Sequence, residues 1–116
     1  MSSLRHGVIG ALLLMSAVQA SGQQTPPQHC QAAAFRQFDF WVGEWDVRDH
    51  TGKPAGRNSI TLEQNGCVLV ERWTSVNGGT GMSMNHYDPQ AAVWRQHWVG
   101  VGGILEMKGA LKNGVM

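Results

Sequence analysis

The fold of this chain is decided by the stretch Phe38-Asp39-Phe40-Trp41-Val42-Gly43-Glu44-Trp45-Asp46-Val47, which holds four aromatic side chains in its first eight residues. From Trp45 onward apolar and polar residues alternate, so that Trp45 and Val47 share one face of a strand and Asp46 lies on the other. The segment Gly43-Glu44-Trp45 therefore predicts a first strand, at residues 40–48, whose tryptophan plugs one end of a small β-barrel.

The amino terminus has the features of a secretory signal peptide. Arg5 supplies a positive start, residues 8–18 are mostly apolar, and Val18-Gln19-Ala20 fits the small-residue cleavage rule. The apolar run is shorter than the roughly 20 residues that a membrane-spanning helix needs. We therefore expect a signal peptide at residues 1–20, a polar spacer at 21–34 and one β domain at 35–116, in a periplasmic or secreted protein that leaves the membrane after cleavage.

The composition favours a compact β domain and argues against nucleic acid as a partner. The net charge is +1 with histidine neutral, and lysine and arginine form no stripe that would bind nucleic acid or an acidic membrane surface. Fifteen glycines and five tryptophans in 116 residues are typical of strands joined by tight turns. The oligomeric state is not determined by the sequence.

Two cysteines, Cys30 and Cys67, are the only ones in the chain. Export implies an oxidising compartment, where a disulfide persists. In an up-and-down meander, the entry to the first strand and the turn between strands two and three lie at the same end of the sheet. A Cys30–Cys67 bridge is therefore geometrically reasonable, and the alternative is two unpaired thiols.

The dipeptide Asn65-Gly66 predicts the turn of a β-hairpin between strands two and three. Pairing Gln64 with Cys67 around this turn sets Leu62 opposite Leu69, Ile60 opposite Glu71 and Asn58 opposite Trp73. On this register the inward face carries a carboxylate, because Glu71 shares that face with Ile60 and Trp73.

The next two turns determine which face the tryptophans of strands four and five occupy. Around Asp88-Pro89-Gln90, pairing Tyr87 with Trp94 puts Ser83, Asn85 and Tyr87 on the face of Trp94, Gln96 and Trp98. To place that face inward, we predict a three-residue turn at Asn77-Gly78-Gly79 that pairs Trp73 with Ser83. A two-residue turn would instead flip the whole following strand.

The opening motif resembles that of an uncharacterised bacterial family of exported domain-of-unknown-function proteins, whose fold is a lipocalin-like (calycin) β-barrel. Gly43-Glu44-Trp45 is similar to the G-x-W signature of such barrels. Later positions extend the resemblance over residues 35–116; they are Gly66, Cys67, Glu71, Trp73, Gly81, Ser83, Asn85, Tyr87, Asp88, Trp94, Gln96 and Trp98. The resemblance implies fold and export, and it implies no catalytic role for any residue.

The carboxyl-terminal end of the chain suggests a longer protein. Strand six is predicted at residues 104–111. The dipeptide Asn113-Gly114 then predicts the turn of another hairpin, two residues before the sequence ends at Met116. Six strands are fewer than the about eight that close a small barrel. We therefore expect an all-β, antiparallel up-and-down lipocalin-like barrel that is truncated here and continues with at least two more strands.

The predicted inward side chains combine aromatic and polar groups, which is typical of a small-molecule pocket. They are Glu71, Trp73, Ser83, Asn85, Tyr87, Trp94, Gln96 and Trp98. Indole faces would hold an apolar or aromatic ligand, and Glu71, Asn85 and Gln96 would anchor its polar atoms. The alternative is a structural barrel without a ligand, whose interior is filled by polar side chains that hydrogen-bond to one another.

Catalysis and metal binding receive less support from the sequence. Glu71 is the one candidate for a general acid–base, but no second base or nucleophile follows or precedes it at a spacing that would indicate a catalytic pair. His86 and His97 fall together on the outward face, without an evident third ligand. We expect no metal, no haem and no other cofactor, and a binding protein rather than an enzyme.

Overall fold

The computed structural model describes residues 29–114, which form one antiparallel sheet of six strands. Each strand pairs with the next along the chain, so the topology is an up-and-down meander. The strands are β1 (Gly43–Arg48), β2 (Pro54–Glu63), β3 (Val68–Ser75), β4 (Thr80–Asp88), β5 (Val93–Gly100) and β6 (Gly103–Gly109). The all-β antiparallel meander is thus confirmed, whereas within residues 29–114 the sheet is open and β1 does not pair with β6.

Several strand bounds differ from those predicted. β1 begins at Gly43 rather than at residue 40, because residues 39–41 form a turn of 3-10 helix. β6 covers Gly103–Gly109 rather than residues 104–111. The signal peptide, most of the spacer and the last two residues lie outside the described residues.

The β2–β3 hairpin has the predicted register, with Leu62 opposite Leu69 and Ile60 opposite Glu71. Its turn requires left-handed backbone, with φ of 51° at Gln64, 54° at Asn65 and 88° at Gly66. Asparagine and glycine tolerate this conformation best, which is why the dipeptide predicts the register correctly.

The β3–β4 turn is one residue earlier than predicted. It has three residues, 76–78, and it pairs Trp73 with Gly81 and Glu71 with Ser83. The predicted pairing of Trp73 with Ser83 is therefore wrong by two positions. A shift of two residues keeps every side chain on its face, so the predicted faces of β4 are correct.

Local hydrogen bonds explain where this turn forms. The Ser75 N–H donates to Gly79 O over 2.8 Å, the Gly78 N–H donates to Ser75 O over 2.9 Å, and the Gly79 N–H donates to Ser75 Oγ over 3.0 Å. Gly78 has a φ of 83°, the left-handed position that closes a three-residue hairpin loop. Ser75 thus fixes the turn through its backbone and its hydroxyl.

The β4–β5 hairpin has the predicted register, with Tyr87 opposite Trp94 and Asn85 opposite Gln96. Asp88 holds its turn, because Oδ1 accepts from the N–H groups of Gln90 and Ala91 at 3.0 and 3.2 Å. The Arg95 guanidinium hydrogen-bonds to Oδ2 at 2.8 Å. This bond, followed by the backbone bond from Ala91, lowers the pKa of the Asp88 carboxyl.

One end of the sheet is covered by two turns of 3-10 helix, at Ala33–Arg36 and Asp39–Trp41, which we call the N-terminal cap. Phe38, between them, packs with Trp94, Ile60 and Leu69 in the buried core. The Phe38 and Trp94 rings meet edge to face, with centroids 4.8 Å apart. The cap therefore completes the core that the sheet alone leaves uncovered.

Trp45 does not plug an enclosed end. It lies on the edge strand β1 with 43% of its surface exposed, and its indole N–H donates to the backbone oxygen of Trp41 over 2.7 Å. Because the sheet is open, Trp45 is not enclosed, and its hydrogen bond to Trp41 joins β1 to the 3-10 turn at residues 39–41.

A disulfide between Cys30 and Cys67 joins the chain ahead of the cap to the β2–β3 turn, with 5.0 Å between the two Cα atoms. The bridge is thus confirmed over the alternative of two thiols. The same turn accepts a hydrogen bond from Gln31 Nε2 at Asn65 O, over 3.2 Å, and another from Arg36 at Gly66 O. Covalent and hydrogen bonds together hold the cap to this end of the sheet.

Replacing both cysteines by serine, Cys30→Ser with Cys67→Ser, should lower the free energy of unfolding by about 2–4 kcal/mol, because the bridge restricts the unfolded chain over a separation of 37 residues. Urea unfolding followed by tryptophan fluorescence measures the change. Reduced wild-type protein is the control and should match the double variant. An unchanged unfolding midpoint in both would contradict the role given to the bridge.

Candidate functional site: a buried carboxylate cluster

The sheet has an inner face, which carries the core residues Ile60, Leu69 and Trp94, and an outer face opposite. Five polar side chains from four neighbouring strands meet on the inner face. This polar cluster comprises Asn58 of β2, Glu71 of β3, Ser83 and Asn85 of β4, and Gln96 of β5. Alternation along each strand and the registers described above place all five on one side of the sheet.

Glu71 lies at the centre of the polar cluster and is 8% exposed. Its Oε1 accepts a hydrogen bond from Asn58 Nδ2 at 2.7 Å. Its Oε2 accepts from Ser83 Oγ at 2.6 Å and from Gln96 Nε2 at 3.2 Å. All three donors are neutral, and none of the ion pairs formed within residues 29–114 involves Glu71.

Ser83 connects the other members and fixes the direction of the bonds. It is 1% exposed, and its Oγ accepts from Asn85 Nδ2 at 2.8 Å and from Gln96 Nε2 at 3.1 Å. Its single proton is therefore free to donate to Glu71. Both oxygens of Glu71 act as acceptors in this arrangement, which is the pattern of an ionised carboxylate.

Two amide oxygens of the polar cluster have no donor. Asn58 is 8% exposed and Asn85 is 3% exposed, and the Oδ1 atom of each is buried without a hydrogen-bond partner. Buried polar atoms are rarely left unpaired, because each costs about 1–3 kcal/mol. Both unpaired atoms are acceptors, so each of them can take a hydrogen bond from a donor.

Trp73 and Trp98 pack closely against glycines of neighbouring strands. A methyl group on Gly56 would lie 2.6 Å from Cη2 of Trp73, and one on Gly81 would overlap the six-membered ring of Trp98. Gly100 is also beneath Trp98, where a methyl group would come within 2.9 Å of Nε1. Glycine is needed at these positions because any larger residue would displace an indole from the sheet.

Tyr87 and Trp94, which are predicted to line a ligand pocket, make contacts with the N-terminal cap. Trp94 is 4% exposed, and its indole N–H donates to Ala34 O at 3.2 Å and to Gln37 Oε1 at 3.1 Å in the cap. The Tyr87 ring meets Phe35 edge to face at 5.2 Å. Both aromatic residues thus pack beneath the N-terminal cap.

The eight residues predicted to bind a ligand therefore form three groups. Glu71, Ser83, Asn85 and Gln96 come together in the polar cluster, Trp73 and Trp98 cover glycines, and Tyr87 and Trp94 pack against the cap. Their binding role stays a prediction. Asn58 is absent from the predicted set although the sequence contains the signal for it, since the β2–β3 register already places it opposite Trp73 on the inner face.

An open groove of about 220 Å³ adjoins the polar cluster where Gln96 reaches the surface; its walls are Trp94, Gln96, Met107, Lys108 and Gly109. A second hollow of about 400 Å³ lies at the far end of the sheet, between β1, β2 and β3. Glu71 lines neither space. Access to the carboxylate from the groove therefore runs past the Gln96 amide, which hydrogen-bonds to it.

The two histidines of the hairpin lie on the outer face, as predicted. Their rings stack at 6.3 Å with an interplanar angle of 5°, and His97 Nδ1 lies 3.3 Å from a carboxylate oxygen of Glu106. Within residues 29–114, no group of three histidine, cysteine, aspartate or glutamate side chains has the geometry to hold a metal ion.

Fold and site define an antiparallel meander with one buried carboxylate at the centre of its inner face. No protein-family model matches the chain, and no curated protein or solved structure matches it either. No helix in the part of the chain that the structure describes is long and apolar enough to cross a membrane.

Substituting Gly81→Ala should destabilise the protein by about 1–3 kcal/mol, because the added methyl group overlaps the Trp98 ring in a packed position. Gly102→Ala is the matched control, since nothing lies within 4 Å of its added methyl group, and it should change stability by no more than about 0.5 kcal/mol. Thermal unfolding with near-ultraviolet circular dichroism checks both. Equal effects of the two substitutions would contradict the packing of Trp98 on Gly81.

Proposed function

We propose that this protein is an exported, lipocalin-like β-barrel that binds a small molecule with an apolar or aromatic body on the inner face of its sheet. Glu71, Asn85 and Gln96 anchor the polar atoms of the ligand, and Trp73 and Trp98 lie beside its apolar part. The observation that carries the proposal is the convergence of the polar cluster on a face otherwise lined by aromatic and aliphatic side chains.

The inner face of β6 supports a binding surface next to the polar cluster. Leu105 is 57% exposed and pairs with Trp98, and Met107 is 50% exposed and pairs with Gln96. Exposed apolar side chains beside a few convergent polar groups are typical of ligand sites. A ligand in the groove would cover Met107 and reach the Gln96 amide at the same time.

Export is supported by the disulfide. Bridges such as Cys30–Cys67 persist in oxidising compartments and are rare in the cytosol. Together with the signal-peptide pattern at residues 1–20, this favours a periplasmic or secreted protein.

The second candidate is a structural or interaction barrel without a ligand. It is favoured by the fact that both oxygens of Glu71 already accept hydrogen bonds from within the chain. An enzyme that uses Glu71 as general acid–base has less support, because the side chains bonded to this carboxylate are two amides and a hydroxyl, none of which acts as a second base near neutral pH. Binding of an apolar probe separates the first two candidates.

The neutral aromatic probe N-phenyl-1-naphthylamine should bind with a rise in its fluorescence, and Met107→Asp should weaken that binding at least tenfold, because a charge replaces apolar surface in the groove. Met84→Asp is the matched control. Met84 is 52% exposed, close to the 50% of Met107, but lies on the outer face, so its substitution should change the affinity less than twofold.

The structural candidate gives a different result in the same titration. A protein without a ligand site would leave the probe fluorescence unchanged. Equal losses from Met84→Asp and Met107→Asp would likewise show that the probe does not select the inner face, and would contradict the proposal.

A further inference from the structure

We propose that the ligand carries a cationic nitrogen, an ammonium or other protonated amine, which replaces the Gln96 N–H at Glu71 and leaves the Gln96 amide to bond to the ligand. This inference rests on the proposed function and specifies the chemical class of its ligand. It is drawn from the charge of the inner face, from the unused acceptors of the polar cluster and from the way Gln96 covers the carboxylate.

The inner face carries a single charge. Among the side chains that the registers of β2 to β6 place there, Glu71 is the only ionisable acid or base apart from the Tyr87 phenol. The cations of these strands alternate to the outer face, where Arg72 lies within 3.3 Å of Glu63, and Arg95 pairs with Lys108 across β5 and β6. Lys108 borders the groove, but its register position is on the outer face, opposite Arg95. A molecule at the centre of the inner face therefore meets the negative charge of Glu71, which favours a positive ligand.

The neighbours of Glu71 increase the preference for a donor. Asn58 Oδ1 and Asn85 Oδ1 are buried acceptors without partners, on side chains that are both more than nine-tenths buried. An anionic or acceptor-rich ligand would find no free donor among these atoms. An ammonium group offers up to three N–H donors, so a rotation of either amide could satisfy an oxygen that is now unpaired.

Gln96 is the member of the polar cluster that a ligand can replace. Its bond to Glu71 is the longest of the three, at 3.2 Å, compared with 2.6 Å for Ser83 and 2.7 Å for Asn58. It is also partly exposed and lines the groove. A charged N–H donor forms a shorter and roughly twofold stronger bond to a carboxylate than a neutral amide does, so the exchange favours the ligand.

The tryptophans add a second attraction for a cation. Trp98 lies over Gly81 and Gly100, and Trp73 lies over Gly56, in positions that flank Glu71 and Ser83 on the same face. The face of an indole attracts a cation within about 6 Å of its centre. Carboxylate and indole together would recognise an amine attached to an aromatic or aliphatic body.

Three probes with the same phenylethyl body test this inference: 2-phenylethylamine as the cation, 2-phenylethanol as the neutral analogue and 3-phenylpropionate as the anion. Isothermal titration of the wild-type protein at pH 7 should give an affinity for the amine at least tenfold higher than for the alcohol, with the anion weakest. Glu71→Gln should remove this preference by weakening the amine at least tenfold while changing the alcohol less than twofold.

Glu63→Gln is the matched control, because Glu63 is a carboxylate on the outer face that pairs with Arg72. It should leave the amine affinity within twofold of wild type. Equal losses of amine affinity in Glu63→Gln and Glu71→Gln, with the fold intact by circular dichroism, would overturn the binding of the ammonium group to Glu71.

The outcomes separate this inference from the proposed function. Equal wild-type affinities for amine and alcohol would overturn the cationic class while leaving a small-molecule site in place. If neither of them nor N-phenyl-1-naphthylamine binds, the proposed function itself is wrong. An amine preference that persists in Glu71→Gln would overturn the role of this carboxylate.

Discussion

The structure depends on burying one carboxylate in the middle of an antiparallel sheet. A charge in that position is tolerated only when hydrogen-bond donors surround it, and Glu71 receives its donors from three other strands, through Asn58, Ser83 and Gln96. A slip of one residue in any of these strands would turn a donor to the outer face and leave the carboxylate unpaired. The polar cluster therefore fixes the register of β2 to β5 as firmly as an apolar core would.

This constraint also divides the inner face into parts with different properties. At one end, the N-terminal cap, the disulfide and the Phe38–Trp94 contact form a closed apolar core. At the centre, the polar cluster contains the carboxylate of Glu71, which forms none of the ion pairs found within residues 29–114. Toward β6 the face is open, with Leu105 and Met107 exposed. Rigid packing at one end thus supports the carboxylate while the other end stays accessible.

Much of this arrangement could be predicted from local sequence. Asn65-Gly66 determines the β2–β3 register because few other residues adopt its backbone conformation, and Asp88 marks the next hairpin through its bonds to the turn. These two hairpins place Glu71 and Gln96 on one face once the β3–β4 turn is given three residues, as predicted. The β3–β4 turn was misplaced by one residue because its position depends on hydrogen bonds of Ser75, which periodicity does not reveal.

Non-local contacts account for what sequence reasoning missed. Trp94 bonds to Ala34 and Gln37, about 60 positions away in the chain, so its place under the cap could not be read from strand alternation. The packing of Trp98 on Gly81 depends on how the side chain leans across two strands. Asn58 is different, because the β2–β3 register predicts its position on the inner face but not its hydrogen bond to Glu71.

Side-chain amide NMR of uniformly ¹⁵N-labelled protein tests the buried carboxylate cluster most directly. If Asn58 and Gln96 donate to Glu71, and Asn85 to Ser83, their NH₂ protons exchange slowly with solvent and show nuclear Overhauser effects across β2 to β5. Solvent-rate exchange of these amides, with no contacts between the strands, would contradict the account.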